Sequence, residues 1–277
     1  MIADAADRVF TVLAGQPNDP NWAGVISRAT KKFNAAQAKL SAVEAPADHR
    51  RGGHFAVHTG MSIGSGQKHV GNLKNSPHRQ KIIDDLKSDP DILRIANFGS
   101  GGLRNYVPKV HDVYACNMDA LLASDSTLTR NFVNNVFAAA TFNLGPRVAT
   151  YPHLDHLNYA FGMCAVTALG NYDPKESGHI ILWDAKLIIE FPPGSTILIP
   201  SAILRHSNVA VKKPQTRYSF TQYSAGGLFR WVKCGFRTLK AYRAAGYDLT
   251  SEYEEWREGW QLFSTVTDLR STSASTS

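Results

Sequence analysis

Tyr151-Pro-His-Leu-Asp-His-Leu-Asn158 is the stretch that decides how the rest of the chain reads. His153 and Asp155 form a His-x-Asp pair, and alternate residues at a strand end project to the same side. A third donor, His206, follows Asp155 by 51 residues, the long gap expected of a ligand on a distant strand that returns beside the first. Two imidazoles and one carboxylate on one face of an octahedral ion leave three positions free. That is the donor set of non-haem Fe(II) centres, which take a chelating co-substrate and dioxygen. Eleven residues past His206 stands Arg217, followed by Ser219, in a β-like run. A guanidinium there suits the far carboxylate of a 2-oxo acid, gripped through two parallel hydrogen bonds. A His-x-Asp pair alone arises often by chance. The ordered set of His153, Asp155, His206, Arg217 and Ser219 carries the reading.

Outward from this stretch, the chain from Phe132 onward is a series of short β-like runs broken by turn residues. Strands are expected near 135–143, 147–153, 160–169, 179–183, 186–191, 195–200, 204–211 and 217–224. The breaks fall at Gly145-Pro146, Asn171-Tyr-Asp-Pro174, Pro192-Pro-Gly194 and Lys212-Lys-Pro214. Eight strands at this spacing suit a double-stranded β-helix, or jelly roll, with helices packed outside, an α+β fold. The His-x-Asp pair would then end the second strand, with His206 on the seventh and Arg217 on the eighth, all at one mouth.

The first 130 residues read as a helical support region with a Gly-rich loop, residues 131–247 as the jelly-roll core, and 248–277 as a C-terminal helix and a fraying tail, in one integrated domain. Residues 1–19 suggest a short helical piece and a turn. From Asn21, Trp22, Ile26, Ala29, Phe33, Ala36, Leu40 and Val43 recur at helical spacing. That helix either braces a sheet or sets its Arg28, Lys31, Lys32 and Lys39 against phosphate. Residues 45–76 are rich in Gly, His, Ser and Asn, which fits a loop closing over substrate or a plain connector. Helices are expected at 78–87, 90–97, 108–123 and 249–263, and the Ser/Thr-rich end from 264 is expected to fray.

At 43% hydrophobic and 19% charged, the composition is that of an ordinary globular protein rather than a disordered or fibrous one. The N-terminus has no apolar signal region and no run is long enough to span a bilayer, so nothing calls for a membrane, and no protein partner is evident. Three cysteines, odd in number and far apart, suit a reducing compartment, nuclear or cytoplasmic, and argue against a structural zinc site. The net charge is +7, and its distribution matters more than its total. From Phe191 to Tyr247 there is no Asp or Glu, and a second basic zone from Arg28 to Lys81 is interrupted only by Glu44 and Asp48. Such runs are often solvated faces, but two of them flanking a catalytic core favour a polyanionic partner.

With these residues in place, the chain resembles the TET/JBP family, the 2-oxoglutarate- and Fe(II)-dependent dioxygenases that oxidise methylated bases in nucleic acid, and most of all its fungal branch. The family's His-x-Asp-x-x-Asn stands here as His153-Leu-Asp-His-Leu-Asn158, and its Arg-x-Ser as Arg217-Tyr-Ser219. The resemblance implies an Fe(II) site of His153, Asp155 and His206 and a 2-oxoglutarate site of Arg217 and Ser219. It further implies that Asn158 holds the flipped base and that Tyr223, six residues beyond the Arg, stacks on it. His179, in Gly178-His-Ile-Ile-Leu182, matches more loosely an interior-strand histidine that contacts 2-oxoglutarate. The likeness covers about residues 130–235. One departure stands out: where animal members place a base-contacting histidine, eight residues past the Arg, this chain has Ala225. The expected substrate is therefore a methylated base, 5-methylcytosine in DNA first. The alternatives are an oxygenase acting on a small molecule or protein side chain, and a jelly-roll binding module, against which the intact triad speaks. Taken singly, Asn158 also suits a turn, Tyr223 the core, and His156 the surface.

Overall fold

The computed structural model describes residues 1–64, 66–249 and 251–274. Along the chain come β1 (Ile2–Ala3), β2 (Val9–Gly15), α1 (Trp22–Ser41), β3 (Asp48–His49), β4 (Gly52–Gly53), β5 (Phe55–Ser62) and β6 (Gly71–Asn72). Three helices follow, α2 (Pro77–Lys87), α3 (Pro90–Tyr106) and α4 (Pro108–Ser124). Then come β7 (Ala139–Leu144), β8 (Cys164–Asn171), β9 (Ile180–Leu182), β10 (Leu187–Ile189), β11 (Thr196–Ile199), β12 (His206–Asn208) and β13 (Thr216–Tyr223). The chain continues through α5 (Gly226–Lys233), α6 (Leu239–Ala244), α7 (Glu252–Trp260) and α8 (Val266–Ala274). One large antiparallel sheet runs β1-β2-β11-β8-β13-β7-β5-β6, and a smaller one runs β10-β9-β12. The two sheets form the jelly roll expected of the strand-rich half.

Helices cover one face of the large sheet. Trp22, Val25, Ile26, Ala29, Phe33, Ala36 and Leu40 put a buried stripe along α1 at three- and four-residue spacing. The stripe packs on Phe142, Leu144, Leu169, Tyr218 and Phe220, with the Phe33 and Phe142 rings meeting edge to face at 5.7 Å. Of the two readings of this helix, bracing is the one the contacts bear out. Arg28 pairs with Asp91 at 2.7 Å, Lys32 with Asp89 at 3.4 Å and Lys39 with Asp85 at 3.1 Å, which ties α1 to α2 and α3.

Several sequence expectations give way. The N-terminal residues are strands, because β2 buries Val9, Thr11 and Val12 and pairs with β11 on one side and β1 on the other. The Gly- and His-rich stretch holds β5, an inner strand paired with β7 from Phe55↔Leu144 to Gly60↔Ala139. Its Gly60, at φ 109°, sits so close to β7 that a Cβ would lie 2.2 Å from the Ala138 carbonyl. Helix α3 does not stop at residue 97. It runs on through Gly99, where a Cβ would meet Gln222 Nε2 at 2.7 Å, so the glycine lets helix and sheet approach. No strand spans 147–153; Pro146 and Pro152 leave only single bridges, Arg147↔Arg217 and His153↔His206. The strand expected from 160 begins at Cys164, after a turn in which Gly162 N–H donates to the Tyr159 carbonyl. The tail folds as α8 through Ala274, with residues 275–277 outside the described residues.

Among the described residues, no helix is long and apolar enough to cross a membrane, and Cys116, Cys164 and Cys234 are all free thiols.

Candidate active site

The jelly roll brings His153, Asp155 and His206 together. One donor atom from each lies within 4.8 Å of the others, with His153 Nε2 3.8 Å and His206 Nε2 3.9 Å from the Asp155 carboxylate. The backbone does the placing. His153 and His206 exchange both N–H···O bonds at 3.0 Å across the bridge, and Asp155 N–H donates to the Ser201 carbonyl at 2.8 Å. Each imidazole is then turned by its other nitrogen. His153 Nδ1 lies 2.7 Å from the Tyr151 carbonyl and His206 Nδ1 2.9 Å from the Leu204 carbonyl. A carbonyl can only accept, so Nδ1 carries the proton and Nε2 keeps its lone pair for the centre. Burial, with the His206 ring next in weight, lowers the His153 pKa to about 4, and burial lowers that of His206 too. Both imidazoles are neutral at pH 7, the form that binds metal. Two nitrogens and one carboxylate oxygen fit Fe(II), and the nearby Cys164 does not compete. Burial pushes its thiol up to about 12, and its Sγ lies against Ser201 Oγ at 2.9 Å.

A cavity of about 290 Å³ opens over the triad, and Arg217, Ser219, Asn158 and Tyr223 all line it. Arg217 is 2% exposed; one of its nitrogens donates to the Val148 carbonyl at 3.2 Å, while its Nε has no partner. Burial lowers its pKa, and the Tyr172 hydroxyl beside it acts in the opposite direction. Among the described residues no carboxylate pairs with it. A buried guanidinium without an anion is costly, and a ligand carboxylate in the cavity would supply one. Ser219 Oγ accepts from Asn143 Nδ2 at 3.0 Å in the same wall.

Asn158 follows the triad pair on a turn closed by its own N–H to the Asp155 carbonyl at 2.8 Å. Its Nδ2 donates to Ser201 Oγ at 3.1 Å and points at Cys164 Sγ at 3.2 Å. Tyr223 ends β13, and its hydroxyl accepts from Thr141 Oγ1 at 3.4 Å. His179 is half-buried before β9 and does not line the cavity, whereas its neighbour Ile180 does; strand alternation turns the two to opposite sides. His156 is exposed.

Part of the site comes from the stretch that the sequence left as a loop. Arg51 contacts Asp155 Oδ1 at 2.6 Å, an ionic contact at an angle that makes no hydrogen bond. His54 and His58 line the cavity beside it. Burial first, and then neighbouring positive groups, lower the pKa of each to about 4. His58 Nδ1 lies 2.8 Å from Thr141 Oγ1 and 3.5 Å from the Tyr223 hydroxyl. The signal for Arg51 was the Gly52-Gly53 pair after it. Gly52 has φ 140°, and a Cβ there would sit 2.4 Å from the Ala149 carbonyl. This close approach presses the β3–β4 turn onto the segment leading to His153, and Tyr151 N–H donates to the Arg51 carbonyl at 2.9 Å.

No family model and no curated protein matches the sequence. Solved structures do match. NgTET1 in complex with 5mC DNA aligns at a TM-score of 0.55 and 14% identity, over 78% of this chain and 72% of that one. The chain shares the jelly-roll fold of that structure. More distant are a Pseudomonas putida prolyl-4-hydroxylase (TM-score 0.37, 13% identity, 78% of this chain and 91% of that one) and a 2OG-Fe(II) oxygenase family oxidoreductase from Burkholderia pseudomallei (0.35, 16%, 76% and 93%).

Proposed function

We propose that the protein is an Fe(II)- and 2-oxoglutarate-dependent dioxygenase that oxidises a methylated base in nucleic acid, 5-methylcytosine in DNA foremost. The observation that carries this reading is a single cavity lined by the two-His, one-carboxylate cluster, the anion-free guanidinium of Arg217, and the Asn158–Tyr223 pair. Fe(II), with 2-oxoglutarate and dioxygen, supplies the oxidising power that inserts one oxygen into a C–H bond while the co-substrate leaves as succinate and carbon dioxide.

The residues supply everything else. His153, Asp155 and His206 hold the ion and leave open positions. Arg217 grips the far carboxylate of 2-oxoglutarate and Ser219 offers a hydroxyl beside it. A base stacked in a duplex cannot enter such a cavity, so it must be flipped out and clamped. With the Nδ2 of Asn158 held by Ser201, its Oδ1 is left to accept from the exocyclic amine of cytosine, and Tyr223 offers its ring face to the base. Phosphate contacts come from cations without an ion pair among the described residues. Lys68, Lys74, Lys212, Lys213 and Lys240 are such residues, whereas Lys233 pairs with Glu255 at 2.6 Å and Arg243 with Asp248 at 3.4 Å. The TET/JBP resemblance, its fungal branch included, and the likeness to a protein held in complex with 5mC DNA support the choice of substrate. Three free thiols agree with a nuclear or cytoplasmic setting.

The test is mass spectrometry of nucleosides after incubating the protein with methylated DNA, Fe(II) and 2-oxoglutarate. The expected result is hydroxymethylated cytosine and succinate in matching amounts. Succinate release with no change in any base, and no measurable affinity for DNA or RNA at low salt, would transfer the assignment to an oxygenase of proteins or small molecules.

A further inference from the structure

An enzyme that flips a base must do something about the gap left in the stack. Duplex-opening proteins commonly fill such a gap with an apolar side chain pushed between base steps. Among the described residues, twelve large hydrophobic side chains are exposed, and Leu157 alone among them lines the active-site cavity. It is 69% exposed while touching the same space as Asp155 and Asn158, so it stands at the lip, one end in the cavity and the rest in solvent. Tyr151, the other exposed hydrophobic residue of the segment, does not reach the cavity.

The backbone under Leu157 is held on three sides. The turn closes through Asn158 N–H to the Asp155 carbonyl at 2.8 Å, and the Leu157 carbonyl accepts from Gly226 N–H at 2.9 Å. Tyr159 N–H donates to the Ser224 carbonyl at 2.9 Å. The main chain that carries the side chain is therefore anchored at the lip. Half-exposed Arg50 holds the start of the same segment, donating to the Leu154 carbonyl at 3.1 Å with its other terminal nitrogen 4.0 Å from Asp155 Oδ1. An exposed apolar tip on an anchored turn, joined through one residue to Asp155, suits a strand of nucleic acid more than a small molecule, which would leave the tip in water.

We propose that Leu157 is the wedge of this enzyme: it enters the duplex beside the target and holds the vacated step open while the base occupies the cavity. This rests on the nucleic-acid reading above. Because Leu157 is exposed, Leu157→Ala leaves the packing of the core untouched. The wedge matters only where a stack has to be opened, so the informative quantity is the ratio of turnover on duplex to turnover on single-stranded DNA of the same sequence.

The experiment compares wild type, Leu157→Ala and Leu157→Met on methylated single strand, duplex, and duplex mismatched at the target. A reporter, 2-aminopurine beside the methylated base, follows opening of the stack by fluorescence. The alanine variant is expected to lose about tenfold in kcat/KM on duplex, keep its single-strand activity, recover on the mismatch, and give a weaker fluorescence rise, with methionine restoring duplex turnover and the fluorescence rise. An unchanged ratio in Leu157→Ala, or an equal loss on duplex and single strand, would overturn the wedge while leaving the base-oxidising function standing. If the wild type oxidises neither form of DNA, the functional reading falls and the wedge with it.

Discussion

The cavity has two walls built on different principles. One belongs to the strand-rich half of the chain: His153, Asp155, Asn158, His206, Arg217, Ser219 and Tyr223, held by the bridge at His206 and by β13. The other comes from the β3–β4 turn, the residue joining β4 to β5, and β5 itself: Arg51, His54 and His58. In the first wall the chemistry needs particular residue types at particular spacings, so the spacing itself carries information. In the second, positively charged and neutral groups complement the first across the cavity, and position is set by strand pairing and by one glycine contact. The first wall carries the donor cluster and the anion-free guanidinium, and the second adds one cation and two neutral imidazoles beside them.

That division is open to attack. The largest effect should follow from His153→Ala, Asp155→Ala or His206→Ala, each removing one of three protein donors. Iron binding followed by titration calorimetry and succinate release should both fall to background. Wild-type-like turnover by any one of these variants, if folded, would dissolve the first wall's claim to the metal.

Arg217→Ala should come next, raising the half-saturating 2-oxoglutarate concentration by roughly ten- to a hundredfold, since a charge-assisted hydrogen-bonded contact is worth about 1.5–3 kcal/mol. Arg217→Lys should restore little of it, because an ammonium lacks the planar fork. An unchanged half-saturation in both would mean that a cation of the second wall, with Arg51 the nearest candidate, grips the co-substrate.

The two walls should diverge in what iron does for them. Without metal, the buried Asp155 carboxylate relies on Arg51 at 2.6 Å. Arg51→Ala should therefore lower the melting temperature of the metal-free protein by several degrees, and saturating Fe(II) under anaerobic conditions should narrow the gap from wild type. A deficit that iron leaves untouched would make Arg51 a packing residue.

The smallest effect concerns pH. His58 has its folded pKa lowered to about 4 from the ordinary 6.5, mainly by burial. Above pH 6.5 it is neutral in both states and contributes no pH dependence. As the pH falls from 6.5 towards 4, the unfolded chain takes up a proton that the folded one refuses, so stability declines across that window. The melting temperature of metal-free His58→Gln should fall less steeply between pH 6.5 and 4.5 than that of wild type, by a few degrees over the window. Parallel slopes would place His58 in water.

How much of this was legible from the sequence follows the same division. The jelly roll and every member of the first wall could be read, because turn residues punctuate the strands and the ligand motif has a fixed order. His179 misled because a loosely matched interior histidine has no spacing rule tying it to the triad, and alternation along β9 turns it away. Arg51, His54 and His58 were hidden because glycines and histidines look like a loop. Strand β5 owes its place to alternate burial of Phe55, Val57, Thr59 and Met61 and to its partner β7, which a local reading does not weigh. The end of helix α3 is hidden for a related reason: Gly99, a weak helix former, is placed there by the approach of Gln222.

One feature of the large sheet bears on how the molecule comes into being. Strand β2, at residues 9–15, is paired with β11, at 196–199, and Val9 N–H donates to the carbonyl of Ser264 at 2.8 Å. Strand β2 thus pairs with a neighbour about 180 residues further along the chain, and its C-terminal cover lies further still. Contacts so far apart along the chain make folding slow and leave strand edges open in the interval. Until both partners are in place, the edge of β2 is an open template for pairing with another chain.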